Sequence, residues 1–451
     1  MVPATFADRQ ICILGLGYVG LTLAIAMAHK GFRVHGYEIR DDVIQSLDKG
    51  VCHFHEPGLD ERLRKVIANG TFTWSKNIAA ATEATVFILT VGTPLDKDGH
   101  ARLDMVSNAA RQVASIMPDG SLVILRSTVK IGTGRNVVMP ILAATGKRFE
   151  IAACPERTLE GRALIELNQL PQIIGSDEPQ TQHRAAQVFN FLTPTTIRVS
   201  KLETAEMIKL VDNTSRDVGF AFANEIARAC DALGLSAAEV IRSGKLGYPR
   251  TNLPMPGPVG GPCLEKDPHI LRESLAAYKI DMPITGAARQ INESQPEEIA
   301  TFIAAELKQR QPNLAQSVVT LMGLAFKGQP ETDDLRGTMA RPILDALKAK
   351  LPGTIWRGYD PVVSESEIRN FGLTPADSIA EAVAGSHAVL ILNNHTKFQA
   401  MPIEDLASTL ASGGFFYDCW NFFSDSQLQL PPRTAYFALG SQKCGQLSQQ
   451  G

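Results

Sequence analysis

Ile11-Cys12-Ile13-Leu14-Gly15-Leu16-Gly17-Tyr18-Val19-Gly20-Leu21 runs from a short apolar segment through a GxGxxG turn into Leu21 to Lys30, a stretch of helical composition. Strand, glycines and helix in that order are the context a dinucleotide turn requires. Gly15 makes the tight turn, Gly17 admits a pyrophosphate against the backbone, and Gly20 lets helix pack on strand, with the helix N-terminus facing the negative charge. A second apolar run, Phe32 to Tyr37, ends in Glu38, about twenty residues past the glycines. A carboxylate there accepts from both ribose hydroxyls and repels a 2′-phosphate, which favours NAD over NADP. Arg40 close by argues the other way.

The alternation of strand and helix continues, as a doubly wound parallel sheet needs. Further strands are expected at Thr85–Thr90, Leu122–Arg126, Glu150–Ala153, Gln172–Ile174 and Thr196–Val199, with helices near 58–69, 104–117, 133–144 and 180–192. Three strand ends carry polar residues: Val91-Gly92-Thr93-Pro94, Ser127-Thr128-Val129, and Cys154-Pro155-Glu156-Arg157-Thr158-Leu159-Glu160-Gly161. In an open α/β sheet ligands sit at the carboxyl ends of strands, so all three loops are expected to face one crevice. Helix capping is the alternative for Thr93 and Thr128.

From Glu203 to about Leu233 apolar residues recur at three-to-four spacing, which predicts a helix of roughly thirty residues, or ~45 Å. That length suits a connection between domains and a face for a second subunit. Lys209 and Asn213 share a face, with Glu206 one turn before Lys209. A solvated face would account for Glu206 and Lys209, but Asn213 is a poor helix former without a hydrogen-bonding task. A short helix is expected at Ala237–Ser243. A proline- and glycine-rich loop then leads to Gly260-Gly261-Pro262-Cys263-Leu264-Glu265-Lys266-Asp267. Cys263 is read near the start of a helix, Leu264–Tyr278, where the helix N-terminus and Lys266 would favour a thiolate. A packed, inert cysteine is the alternative. Ile284 to about Gln309 reads as a second long helix, interrupted or kinked near Pro296.

After Gln311-Pro312-Asn313 the βα rhythm returns, with strands at Ser317–Leu324, Thr354–Tyr359, Ala388–Leu392 and Phe415–Tyr417, and helices at Pro342–Ala349, Ile379–Ala384 and Ile403–Ala411. No second GxGxxG is present. Lys327 and Arg336, following the first of these strands, suit a diphosphate other than that of the dinucleotide. A solvated pairing with Asp333 and Asp334 is the alternative. The organisation is thus an NAD-binding domain over 1–200, a helical dimerisation domain with the cysteine loop over 201–312, a second α/β domain over 313–441, and a flexible polar tail over 442–451.

Composition narrows the function classes. The chain has 451 residues and a net charge of -3, with no basic excess for nucleic acid or anionic membrane. Its seven cysteines are scattered, without a CxxC pair, which argues against a disulfide framework or a zinc site and for a reducing cytosol. No signal-like start and no long apolar run is present, so a cytoplasmic protein is expected, neither secreted nor membrane-spanning.

Taken together, the motifs resemble the UDP-glucose/GDP-mannose dehydrogenase family nearly end to end: GLGYVGL at 15–21, VGTP at 91–94, STV at 127–129, PERTLEG at 155–161, EMIK with Asn213, GGPCLEKD at 260–267, LAFK at 324–327, DDLRGT at 333–338 and YDP at 359–361. The resemblance implies two Rossmann-like domains joined by a long helix and a helical dimerisation region. It implies NAD-dependent oxidation of the C6 hydroxymethyl of a nucleotide sugar to a carboxylate, for polysaccharide precursors. Cys263 falls on the catalytic thiol, Lys209 and Asn213 on the oxyanion-stabilising pair, and Asp267 on the acid beyond the thiol. Thr128 and Glu160 match residues that hold a catalytic water, and Glu156 the earlier acid of that loop. Lys327 resembles the lysine that meets the substrate, and Arg336 the arginine that approaches the cofactor. The same resemblance places Gly15, Gly17, Tyr18, Val19, Gly20, Glu38, Thr93, Thr128 and Lys266 on the cofactor. It places Arg157, Arg250 and Gly260 on the substrate. Glu265 stands where many members have proline, Pro262 where many N-acetylhexosamine enzymes have histidine, and DDLRGT lacks the usual serine-proline. YPRTN at 248–252 resembles the loop of the UDP-N-acetylhexosamine enzymes, which favours that substrate over UDP-glucose. Two other readings remain: a two-electron hydroxyacid or 6-phosphogluconate type dehydrogenase, and a silent nucleotide-sugar sensor.

Overall fold

Strand β1 (Gln10–Leu14) sends Ile11 and Ile13 into one core and Cys12 and Leu14 into another, so the sheet it belongs to is covered on both faces. Its neighbours repeat the pattern in register. Ile11 pairs with Val86 and Cys12 with Phe87, and these in turn with Leu122 and Val123. Each fully buried side chain of this kind contributes about 1.5–3 kcal/mol.

The computed structural model describes residues 1–311, 314–423 and 428–442. They divide into two compact units, Met1–Asn213 with Lys266–Asp281, and Thr214–Glu265 with Met282–Gly451. The first unit contains β1, α1 (Tyr18–His29), β2 (Arg33–Tyr37), α2 (Asp41–Asp48), α3 (Leu59–Ala68), β3 (Phe72–Ser75), β4 (Val86–Leu89), α4 (Asp104–Ile116), β5 (Ser121–Leu125), α5 (Met139–Ala143), β6 (Phe149–Ala153), α6 (Ala163–Glu166), β7 (Gln172–Gly175), α7 (Pro179–Phe189) and β8 (Thr196–Val199). Helix α8 (Leu202–Leu233) begins in the first unit and continues into the second, which adds α9 (Ala237–Lys245); α10 (Asp267–Ala276) returns to the first. The rest of the second unit is α11 (Pro283–Arg310), β9 (Val318–Met322), α12 (Ala340–Lys350), β10 (Ile355–Tyr359), α13 (Glu365–Asn370), β11 (Thr374–Pro375), α14 (Ile379–Val383), β12 (Ala388–Ile391), α15 (Thr396–Gln399), α16 (Ile403–Ala407), β13 (Phe415–Asp418) and β14 (Ala435–Ala438).

The first sheet has the order β3-β2-β1-β4-β5-β6-β7-β8 and the second β11-β10-β9-β12-β13-β14. Both are α/β sheets, as expected, with one correction: β7 runs antiparallel to β6, joined at Ala153 and Gly175, and β8 is parallel to β7. The reversal keeps the whole segment 154–171, including PERTLEG, on the carboxyl edge of β6. The loops after β1, β4 and β5 leave from that same edge.

Several local expectations shift. Strands β3, β11 and β14 were not expected from the sequence: β3 and β11 are short and carry polar or proline residues, and β14 is a four-residue run. Neither Thr93 nor Thr128 caps a helix, since α4 starts after Leu103 and the helical turn before α5 follows Thr133. That turn, Gly134–Val138, is π-helical, a form frequent at functional sites. Pro296 lies inside an unbroken α11, and α10 starts at Asp267, later than the expected Leu264. The expected tail from 443 onward, including Cys444, and Pro312 and Asn313 lie outside the described residues.

Gly20 shows how tightly α1 is set on β1. A Cβ there would lie 1.9 Å from the Gly15 carbonyl oxygen and 2.6 Å from the Thr90 hydroxyl. Gly20→Ala is expected to lower stability by about 1–3 kcal/mol, as overpacking does, read by urea denaturation. An unchanged midpoint would contradict this packing.

Candidate active site

The glycine turn is built to leave space. Gly15 has φ +92, which only glycine adopts readily, and a Cβ on Gly17 would meet nothing within 4 Å. That open cradle at the head of α1 fits a dinucleotide pyrophosphate. Glu38 is buried, and its carboxylate accepts from the Leu16 amide at 2.7 Å and from the Ile39 and Arg40 amides at 2.8 and 3.0 Å. The residue read as a ribose acceptor therefore also ties β2 to the glycine turn. The Arg40 guanidinium is engaged by Asp42, with Nε to Oδ1 at 3.2 Å. Thr93 donates its hydroxyl to the Thr128 carbonyl, fastening the loops after β4 and β5 together.

Glu56, which sequence reasoning missed, fixes the next loop. Its carboxylate accepts from the Tyr18 hydroxyl and from the Gly161 amide, the latter at 2.7 Å. The glycine turn and the segment bearing Glu160 are thereby joined through one buried group, and burial together with Glu56 pushes the Tyr18 phenol up. His55-Glu56-Pro57-Gly58 before an apolar-periodic helix was the available signal.

Beneath PERTLEG lies a buried ion pair. Arg126, 1% exposed, meets the Glu156 carboxylate and donates to Gln172 Oε1 at 2.8 Å and to the Cys154 carbonyl at 3.2 Å. Glu156 also accepts from the Arg157 and Thr158 amides, each at 2.7 Å. Burial works to raise its carboxyl, but the Arg126 guanidinium, the Thr158 amide and Lys209 outweigh it and hold it below the ordinary range. Glu156 thus organises the loop from inside. Arg157 reaches outward to Asp212 at 3.4 Å and to the Pro171 carbonyl at 2.8 Å.

The α8 face is not solvated: Glu206, Lys209 and Asn213 are all buried. Glu206 accepts from the Gly132 and Gly134 amides at 2.6 and 2.8 Å, anchoring the π-helical turn, and burial pushes its carboxyl up to about 7. Lys209 makes no hydrogen bond or salt bridge to any described residue within its unit. Asn213 donates Nδ2 to Asp267 Oδ2 at 2.6 Å, and Lys266 donates to Oδ1 at 2.7 Å. The Asp267 oxygen accepts this bond, so the Asn213 amide is oriented and keeps a second N–H for another acceptor.

In the second unit Gly260 and Gly261 are compelled by close packing of the protein on itself. The Gly261 amide donates to the Gly337 carbonyl at 2.7 Å, and a Cβ on Gly261 would lie 2.4 Å from the Phe326 ring. Gly337 is required by its own backbone: its φ is +61, and a Cβ there would lie 3.1 Å from the Gly261 carbonyl as well as 2.1 Å from the movable Glu265 Oε2. Arg250 stacks over Tyr248 at 4.6 Å, and Lys327 over Phe326 at 5.2 Å. Arg336 is exposed and pairs with Asp334, Nε to Oδ2 at 2.9 Å. Asp360 caps the carboxyl ends of β9 and β10 by accepting from Leu324 at 2.7 Å and Val362 at 2.9 Å. Asn394, unremarked in the sequence, accepts from the Gly328 amide at 2.7 Å.

Other described thiols are quiet. Burial pushes Cys12 and Cys154 up to about 12, and raises Cys52, Cys230 and Cys419 as well. No group of residues with metal-ligand geometry occurs among the described residues.

The UDP-glucose/GDP-mannose dehydrogenase family is matched by its NAD binding domain over residues 9–193, its central domain over 203–294 and its UDP binding domain over 320–425. A UDP-N-acetyl-D-mannosamine dehydrogenase of Pyrococcus horikoshii is 33% identical over 406 residues, covering 89% of this chain and 93% of that protein. The chain belongs to the UDP-glucose/GDP-mannose dehydrogenase family. It is an NAD-dependent nucleotide-sugar dehydrogenase. A solved structure of the Pyrococcus horikoshii enzyme has a TM-score of 0.86 at 31% identity, covering 96% of this chain and 99% of that one. A UDP-N-acetyl-mannosamine dehydrogenase from Staphylococcus aureus has 0.82 at 28%, covering 95% and 98%. A UDP-glucose dehydrogenase from Pyrobaculum islandicum has 0.84 at 25%, covering 98% and 99%.

Glu156→Gln would leave the Arg126 guanidinium buried without its counter-charge, and is expected to cost about 3–5 kcal/mol in urea unfolding. A loss below about 1 kcal/mol would show that the pair is not needed. Glu206 makes a second, opposite prediction. Its folded pKa of about 7 lies above the ordinary 4.5, so its stabilising contribution is full below pH 4.5 and is lost as pH rises through 7. Relative to Glu206→Gln, wild-type stability should fall over that window by up to roughly 3 kcal/mol. Parallel curves for the two proteins would refute the shift.

Proposed function

We propose that the chain oxidises the C6 hydroxymethyl of a UDP-N-acetylhexosamine to a carboxylate in four electrons, with Cys263 as the covalent nucleophile. The observation that carries this reading is the buried Lys209 and Asn213 face. An ammonium without a partner in its unit and an amide held by Asp267 are donors prepared for an oxygen that develops charge. Two NAD molecules, bound in succession, would each accept one hydride per sugar, with the hydroxyl proton of each oxidation leaving to solvent. Cys263 adds to the aldehyde carbon to give a thiohemiacetal, so the aldehyde is not released. Loss of the second hydride turns this into a thioester, which water cleaves to the carboxylate and the free thiol. Lys209 and Asn213 stabilise the oxygen at each of these steps. Thr128 and Glu160 hold the hydrolytic water, and Glu160 or Asp267 takes its proton.

The sugar is assigned from two supports. The YPRTN loop at 248–252 resembles that of the N-acetylhexosamine enzymes, and the archaeal and bacterial relatives named above act, by their names, on UDP-N-acetyl-D-mannosamine. UDP-N-acetyl-D-mannosamine is accordingly the first substrate to try. Met207, Val211 and Phe222 are exposed along one side of α8 and supply an apolar stripe for a homodimer. A cytoplasmic place supplying polysaccharide precursors completes the reading; no helix is long and apolar enough to cross a membrane among the described residues.

NADH release across a panel of UDP- and GDP-sugars is the test. Two NADH per sugar are expected with the N-acetylhexosamines, and one per sugar would turn the reading toward a two-electron enzyme. Cys263→Ser is expected to accumulate no free acid. Full turnover to the uronate by that variant would remove the covalent scheme.

A further inference from the structure

The loop that carries Cys263 is held from below by polar side chains that the reaction itself does not call for. Asp217, Asn224 and Asn292 are fully buried and Arg289 is 3% exposed. Asn224 brackets Gly257, donating Nδ2 to its carbonyl at 3.1 Å and accepting from its amide at 2.9 Å. The same Nδ2 donates to Asn292 Oδ1 at 3.1 Å, and Asn292 Nδ2 donates to Asp217 Oδ1 at 2.9 Å. Arg289 Nη1 donates to that Asp217 oxygen at 2.7 Å and to the carbonyl of Leu264, the residue after Cys263, at 3.1 Å. Both ends of the 257–264 loop thus rest on one connected frame drawn from α8 and α11.

Four buried polar groups are expensive to assemble, and a partly satisfied network is worse than an apolar core. A core that only had to be stable would use leucine here. What the frame supplies is position: Asn224 and Arg289 fix two main-chain points, and the Gly261 bond to Gly337 fixes a third between them. The thiol sits on the short span between the second and third.

We propose that Arg289 is a positioning residue for the Cys263 thiol, acting through the Leu264 carbonyl, with Asp217, Asn292 and Asn224 as the frame that holds its guanidinium. This rests on the reading of Cys263 as nucleophile. Both inner bonds leave the same nitrogen, Nη1, while Nε and Nη2 rest on Glu293; a lysine ends one bond short of Nη1 and lacks that outer brace, so its ammonium does not hold Asp217 and Leu264 together.

The test compares Arg289→Lys with Glu293→Gln. Glu293 touches the outer edge of Arg289, 3.1 Å from Nη2, and is half exposed, so its loss leaves the inner bonds in place. Arg289→Lys is expected to lower kcat by about 10- to 100-fold while KM for sugar and NAD stays within about threefold, the size of effect a small misplacement produces. Hydrogen exchange of the 257–265 backbone should quicken by at least about tenfold in Arg289→Lys. Glu293→Gln should change neither reading by more than about twofold. If Arg289→Lys does not fold, Asn224→Ser, which gives up the two Gly257 bonds and the bond to Asn292 but leaves Arg289 on Asp217 and Leu264, carries the same measurements. Unchanged loop exchange overturns the proposal whatever the activity. Faster exchange with unchanged kcat, or equal losses in both variants, overturns it too. A wild-type protein that oxidises no nucleotide sugar defeats the functional reading instead, and the loop exchange, with the rate of Cys263 alkylation by iodoacetamide, still judges the frame: no change in either sinks it.

Discussion

A buried carboxylate costs several kcal/mol unless its oxygens meet donors, and this constraint is met repeatedly by one device. Glu38, Glu56, Glu156, Glu206 and Asp360 each turn inward and accept backbone amides from the loops at the carboxyl ends of their sheets. Loops at such places cannot pair as strands do, so their amides need other acceptors. A single acidic side chain satisfies two or more of them and fixes the loop's path. Arg126 then balances the charge of Glu156.

The device explains what was legible in the sequence. The α/β class, the glycine turn and the long α8 follow from periodicity and punctuation, which are local signals. The antiparallel turn of β7 was not legible, because strand direction depends on where segment 154–171 is tethered, and that tether is the Arg126, Glu156 and Gln172 cluster. Burial of Glu206 and Lys209 was missed for a similar reason: charge on a helix predicts solvent unless the partner is known, and the Gly132 and Gly134 amides lie more than seventy residues away. Glu56 and Asn394 carry no chemistry of their own and so looked like ordinary loop residues.

The small size of Gly260 and Gly261 is taken up by Gly337 and Phe326. Gly337 completes this close approach from the other side: its φ is +61, and a Cβ there would lie 3.1 Å from the Gly261 backbone and 2.1 Å from Glu265 Oε2.

Sulfur in this chain is partitioned by environment. The thiols of Cys12, Cys52, Cys154, Cys230 and Cys419 are all disfavoured as anions by burial. At neutral pH these side chains behave as small hydrocarbons, slow toward peroxide and toward electrophiles. A covalent probe or an oxidative insult would accordingly find little to attack among them. Among the described residues, a label placed by thiol chemistry would therefore meet little background from these five side chains.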